Sequence, residues 1–164
     1  THAALDRMVE TQQWLCPIRA DKRENGAYYS PSRDIVVLPM KAQFNIGNTP
    51  EDTYRSGMEF YSTMLHEMTH STGHPSALAR ELDTRFGSPS YAEEELVAEL
   101  GSLFLSADLG IQSTDLEGEF YENHVSYLQC IGKRPFLSLQ SRIESRPCGH
   151  LHHGALRGGT GKEH

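Results

Sequence analysis

The sequence predicts an α+β fold, a small antiparallel or mixed sheet combined with long helices, and three observations carry that prediction. Ala27-Tyr28-Tyr29 and Ile35-Val36-Val37-Leu38 are aromatic and β-branched runs separated by Ser30-Pro31-Ser32-Arg33-Asp34, which is turn chemistry. Thr49-Pro50-Glu51-Asp52 opens one long helical pattern, and a second begins at Ser90. With 164 residues, 37% of them hydrophobic, the chain is long enough for one domain with a sizeable core, or at most a domain with an appendage.

In chain order, residues 1–10 set Leu5, Met8 and Val9 among charges and predict a short helix. Trp14-Leu15-Cys16-Pro17-Ile18 reads as a strand, and the hairpin over residues 27–38 follows, ended by Pro39. In the first long helix Thr49 is the N-cap, Pro50 suits the first turn, and Asp52 can bond back to the Thr49 N–H as the acid of a capping box. That helix runs to Ser71 or Thr72, with Gly73 at its end and Pro75 forbidding continuation. The second takes Ser90 as cap with Glu93 as its capping partner. It carries Leu96, Val97, Leu100, Leu103, Phe104 and Ala107 at helical spacing until Gly110. A third helix is predicted from near Thr114 to Gly132, with Phe120, Tyr121, His124, Val125, Tyr127 and Leu128, and a short fourth after Pro135. The domain is expected to fill residues 1–146, and the Gly- and His-rich residues 147–164 form a tail expected to be disordered.

A formal charge of -7 and a pI near 5.7 argue against a nucleic-acid surface on this segment. No apolar run approaches the roughly 18 residues a bilayer span needs, and the N-terminus has no signal-peptide core. Thr1 is not a Met, so the chain reads as cut from something longer. Residues 91–122 hold nine acids and no Lys or Arg, either a solvated face or a field that favours a cation. Cys16, Cys130 and Cys148 are odd in number and widely spaced, which points to a reducing, cytoplasmic compartment.

His66-Glu67-Met68-Thr69-His70 is the most informative stretch. On a helix, positions i and i+4 share a face, so both imidazoles can converge on one zinc ion with Glu67 beside them as a proton acceptor. Catalytic zinc takes three protein ligands and keeps one position open, so a third ligand is needed. His74 is a poor candidate, because it follows Gly73 and Ser76 stands where an extended metzincin signature would place its third His. A supporting or helix-capping role suits His74 better. Glu93-Glu94-Glu95-Leu96-Val97-Ala98-Glu99 is the stronger source. Glu95 and Glu99 share a face there, so one can bind metal while the other orients a ligating His. Glu95 is the preferred ligand and Glu94 its alternative. The Cys148-Gly149-His150-Leu151-His152-His153 cluster is read as adventitious, and Gly158-Gly159-Thr160-Gly161-Lys162 lacks the strand and helix of a phosphate loop.

Residues 28–35, 60–75, 85–87 and 91–101, in this order within residues 26–130, resemble the zincin-like metallopeptidase domain of ArdC-type antirestriction proteins and related polyvalent proteins of plasmids, phages and conjugative elements. The resemblance implies a gluzincin arrangement: His66 and His70 as zinc ligands, Glu67 as general base, and a Glu from the second long helix as third ligand. The Glu-x-x-Ala-Glu spacing is similar to that of thermolysin-like and IrrE-like enzymes, which points to Glu95 with Glu99 behind it. In that family the domain commonly follows an N-terminal single-stranded-DNA-binding domain, so DNA binding is expected from such a domain and not from this segment. After Tyr127 the chain departs from the family's pattern.

The expected activity is zinc-dependent hydrolysis of a peptide bond in a protein or peptide substrate, with no membrane partner. Tyr91, Tyr121, His124, Tyr127 and His74 are candidate donors to the developing oxyanion. The strand over residues 35–38 is a candidate edge for an extended peptide. The competing expectation is a non-proteolytic antirestriction or protein-binding module, with a structural or degenerate zinc site and an acidic face over residues 91–122.

Overall fold

A computed structural model of the chain describes residues 1–82 and 85–111. The helices expected beyond residue 112 and the tail lie outside these residues, as do Tyr121, His124 and Tyr127. The described elements are α1 (Ala3–Thr11), β1 (Ile18–Arg19), β2 (Tyr28–Ser30), β3 (Ile35–Val37), a 3-10 turn (Lys41–Phe44), α2 (Pro50–Ser71) and α3 (Pro89–Asp108). The fold is α+β with a three-stranded mixed sheet in the order β1-β3-β2.

β3 is the central strand, parallel to β1 through Ile18↔Val36 and antiparallel to β2 through Tyr29↔Val36. Its role as a peptide-accepting edge is therefore corrected, since both its sides are taken and β2 holds an outer position among the described strands. The expected strand over residues 14–18 shortens to its last residue plus Arg19. Trp14 does not continue the ladder because its indole N–H donates to Ser71 Oγ of α2 at 2.9 Å. Gln12 takes a strand's place beside Ile18, receiving the Ile18 N–H and donating to the Ile18 carbonyl, each at 2.9 Å.

α2 forms where its cap chemistry puts it. Thr49 Oγ1 accepts the Asp52 N–H at 3.1 Å, and Asp52 accepts the Thr49 N–H at 3.2 Å. Its apolar face buries Met58, Phe60, Tyr61, Met64, Leu65 and Met68 against Val36, Leu38, Leu5, Phe44 and Ile111. Fully burying side chains of this size contributes about 1.5–3 kcal/mol each, and this face fixes how α2 is turned about its axis. A polar knot locks the rear of the helix. Tyr61 Oη donates to Asp6 at 2.8 Å and accepts both the His2 N–H at 2.7 Å and the Lys41 ammonium.

α3 starts earlier than expected. Ser88, not Ser90, is the N-cap, accepting the Tyr91 N–H at 3.1 Å, and Pro89 fills the first helical position. The face carrying Glu95 turns inward, as its expected ligand role requires, and the more apolar positions lie to the outside. Ala92, Glu94, Glu95, Ala98, Ser102 and Ser106 are buried, while Val97, Leu100, Phe104 and Leu105 are exposed among the described residues. The reason is close helix contact: a Cβ on Gly101 would lie 2.5 Å from Thr69 Cγ2, so only small side chains fit between α3 and α2 at that level. Ser102 Oγ donates to the Ser62 carbonyl across the same contact at 3.0 Å.

Candidate metal centre

The core face of α2 sends His66 and His70 to its opposite side, toward α3, where Glu94, Glu95 and Glu99 wait. The two Nε2 atoms face each other at 3.1 Å. The Glu95 carboxylate puts one oxygen 3.6 Å from His66 Nε2 and the other 3.6 Å from His70 Nε2. Taken with one donor atom per residue, His66, His70 and Glu95 lie within 4.8 Å of one another, and donors around a tetrahedral zinc with bonds of 2.0–2.2 Å lie about 3.3–3.6 Å apart, so a modest inward turn of the Glu95 carboxylate would bring one of its oxygens to both imidazoles. Among the described residues this is the group of His, Cys and acid side chains able to hold an ion. His66 and Glu95 are buried, His70 nearly so, and Glu67, next to His66 on the same helix, is 4% exposed.

Each imidazole has a carboxylate behind it. His70 Nδ1–H donates to Glu94 Oε1 at 3.1 Å, and His66 Nδ1 lies 3.7 Å from Glu99 Oε1. These contacts turn the Nε2 lone pairs toward Glu95. Burial alone would lower the His70 pKa, but the Glu94 hydrogen bond and the charges of Glu67, Glu95 and Glu94 outweigh it and raise the value above the ordinary one. Desolvation pushes Glu94 up, yet Arg80 and His70 overcome it and hold that carboxyl below the usual range.

Glu94 thus lies against His70 Nδ1 and Arg80, Glu95 reaches toward both Nε2 atoms, and Glu99 stands behind His66. Tyr91 hydrogen-bonds Glu95, and burial followed by the Glu95 charge raises its pKa. His74 sits apart, on the turn beyond α2. Its Nδ1 accepts the Ser76 N–H at 3.2 Å and lies 3.7 Å from Asp34 Oδ2, so the structure does not bring it to the imidazole pair.

A cavity of about 230 Å³ opens onto His70, Glu94 and Glu95, walled by Tyr29, Pro31, Leu82 and Tyr91. Tyr29 is held in that wall by its hydroxyl, which donates to Asp34 Oδ1 at 2.7 Å. Arg80 is a site residue absent from the sequence reading. Its Nε and Nη2 donate to Glu94 at 2.8 and 2.9 Å. It stands alone in a loop, 14 positions before Glu94, where no periodicity marks it.

A helix carrying two histidines four apart, facing a glutamate on the next helix, is the arrangement a zincin requires, and the chain belongs to the zincin-like metallopeptidase family, whose sequence model matches residues 4–131. The resemblance seen in the sequence stands. The chain is 47% identical over 85 residues to a DNA primase TraC of Escherichia coli, a stretch that is 52% of this chain and 7% of that protein. It is 34% identical over 125 residues to the uncharacterized protein y4eC of Sinorhizobium fredii, covering 75% of this chain and 36% of that one. A metal-free crystal structure of the antirestriction protein ArdC from plasmid R388 covers 79% of this chain and 42% of its own, at 31% identity and a TM-score of 0.48. The chain thus spans less than half the length of each of these proteins.

Proposed function

We propose that this chain is a zinc-dependent peptide hydrolase in which His66, His70 and Glu95 hold the ion and Glu67 is the general base. The observation that carries the reading is the closed Nε2–Nε2–carboxylate triangle, with a buried acid beside it and a cavity opening onto it. Zinc held there by His66, His70 and Glu95 would supply a Lewis acid and lower the pKa of a coordinated water to about 7. Glu67 takes the proton in a site shielded from bulk water. The Glu94 hydrogen bond keeps His70 in the tautomer that presents Nε2, and Glu99, 3.7 Å from His66 Nδ1, is placed to do the same for His66 on a small turn of its carboxylate. Tyr91, already donating to Glu95 at the cavity wall, is the candidate oxyanion donor among the described residues.

The substrate we infer is an extended peptide laid along β2, since Tyr29 and Pro31 carry that strand into the cavity wall. We assign the chain to a mobile-element antirestriction-type protein, in keeping with the resemblance to ArdC, and to the cytoplasm, where the free, buried Cys16 would stay reduced. No helix among the described residues is long and apolar enough to cross a membrane. A purely charge-mimicking module has less support, because Glu94 and Glu95 turn inward to α2 instead of joining an acidic outer face.

The test is Glu67→Gln in the zinc-loaded protein, with hydrolysis of a fluorogenic peptide library as the readout. Zinc binding should stay within a few-fold, while turnover falls by about 10²–10⁴. Turnover equal to the parent's, or no turnover from zinc-loaded parent on any peptide, overturns the hydrolase reading.

A further inference from the structure

Arg80 lies in the loop joining α2 to α3 and commits its guanidinium to two tasks. Nε reaches Glu94 Oε2 at 2.8 Å and Nη2 reaches Glu94 Oε1 at 2.9 Å, a bidentate grip on a buried carboxylate. Nη2 also donates to the Thr69 carbonyl at 2.9 Å and Nη1 to Thr72 Oγ1 at 2.8 Å, which ties the fork to the last turn of α2. Gly73 makes room for it: a Cβ there would lie 3.0 Å from Nη2 and 2.7 Å from Leu82 Cδ2, and Gly73 has no positive φ that would otherwise call for glycine.

Glu94 and Glu95 are adjacent, both buried, and both within reach of His70. Two neighbouring carboxylates beside one imidazole can exchange roles by a change of rotamer unless something holds one of them. Arg80 does this, because both Glu94 oxygens are occupied by its fork and by His70 Nδ1. We propose that Arg80 is a positioning residue for metal capture: it fixes Glu94 as the partner of His70 Nδ1 and so leaves Glu95 as the carboxylate that closes the donor triangle. A lysine could balance the charge but could not hold both oxygens in one plane. The inference rests on His66, His70 and Glu95 being the ligands.

The test measures zinc affinity of the full chain by competition with a chromophoric chelator, together with the visible spectrum of the cobalt-substituted protein and far-UV circular dichroism. Arg80→Met is expected to weaken zinc by about 10- to 100-fold and to alter the cobalt spectrum, with helical content retained. Arg80→Lys should fall between it and the parent. Thr72→Val, which removes one helix-end contact and leaves Glu94 gripped, should bind zinc as the parent does. In a Glu94→Gln background, Arg80→Met should cost less than a further twofold, because its effect runs through Glu94. Should Arg80→Met unfold, Arg80→Lys against the same Glu94→Gln background carries the comparison. Zinc affinity of a folded Arg80→Met within twofold of the parent overturns the proposal, as do additive losses in the double variant or an equal loss in Thr72→Val. A parent that binds no zinc overturns the ligand reading as well, whereas a zinc-binding parent with an indifferent Arg80→Met sinks the Arg80 role alone.

Discussion

Gly101→Ala separates the stability of this fold from the geometry of the proposed metal centre. The new Cβ would lie 2.5 Å from Thr69 Cγ2, 2.9 Å from its Oγ1 and 3.3 Å from its Cβ, where ordinary contact begins at 3.4 Å, so the closest pair is short by 0.9 Å. Thr69 cannot swing aside cheaply, because it is buried and its hydroxyl donates to the Leu65 carbonyl at 2.8 Å. The helices must part. Overpacking of this kind costs about 1–3 kcal/mol, and the better helix propensity of Ala returns about 1 kcal/mol, so net destabilisation is expected to be about 0–2 kcal/mol. The metal centre is less forgiving. Even a third of the opening, about 0.3 Å at Glu95, exceeds the about 0.2 Å that ligand distances tolerate. Zinc affinity should therefore fall about tenfold or more while the urea midpoint moves little. Replacing Thr69 by Ala in the same chain removes both of the closest atoms and should recover most of the affinity. A Gly101→Ala protein that binds zinc as tightly as the parent, or a double variant no better than the single one, would refute the argument that helix approach sets the triangle.

Three further outcomes follow from the same coordinates. Glu95→Gln should weaken zinc by more than about 100-fold, and Glu94→Gln by about 10- to 100-fold, in a chelator competition; the reverse order would reassign the ligand. Tyr61→Phe leaves Asp6, Lys41 and the His2 N–H without their shared hydroxyl, at a cost of about 1–3 kcal/mol in urea unfolding, and a change below about 0.3 kcal/mol would show that the knot is not stabilising. The hydrogen bonds from Thr49 hold the Asp52 pKa below its ordinary value, so its contribution is present above about pH 4 and is lost as the pH falls through the folded-state value. Thermal melts of parent and Asp52→Asn should accordingly differ at pH 7 and draw together as the pH falls below about 4; a difference that stays constant contradicts the linkage.

What the sequence disclosed was what short-range chemistry encodes. Thr49, Pro50 and Asp52 announce α2 because a capping box is a three-residue interaction. The facing of His66 with His70 and of Glu95 with Glu99 follows from helical period alone. At α3 two caps compete within three residues, and Ser88-Pro89 prevails because Pro89 supplies a fixed φ in the first turn. Periodicity located the two faces of α3 but not which one turns inward, since that depends on Gly101 meeting Thr69, a contact no local pattern reveals. The residue type of Trp14 favours a strand, whereas a distant hydroxyl on Ser71 decides its placement. Arg80 escaped for the same reason, as its partners Thr69, Thr72 and Glu94 come together only once two helices have docked.

The brevity of β2 bears on selectivity. Backbone groups along a strand point alternately to either side, so three residues from Tyr28 to Ser30 offer at most two outward-facing residues, and Pro31 beyond them contributes no N–H. If a polypeptide aligns there as proposed, it gains few main-chain bonds, and its residence would be governed chiefly by whichever of its side chains enters the hollow between Tyr29, Leu82 and Tyr91. Discrimination among sequences would then change with single replacements in that hollow far more than with alterations to the strand itself.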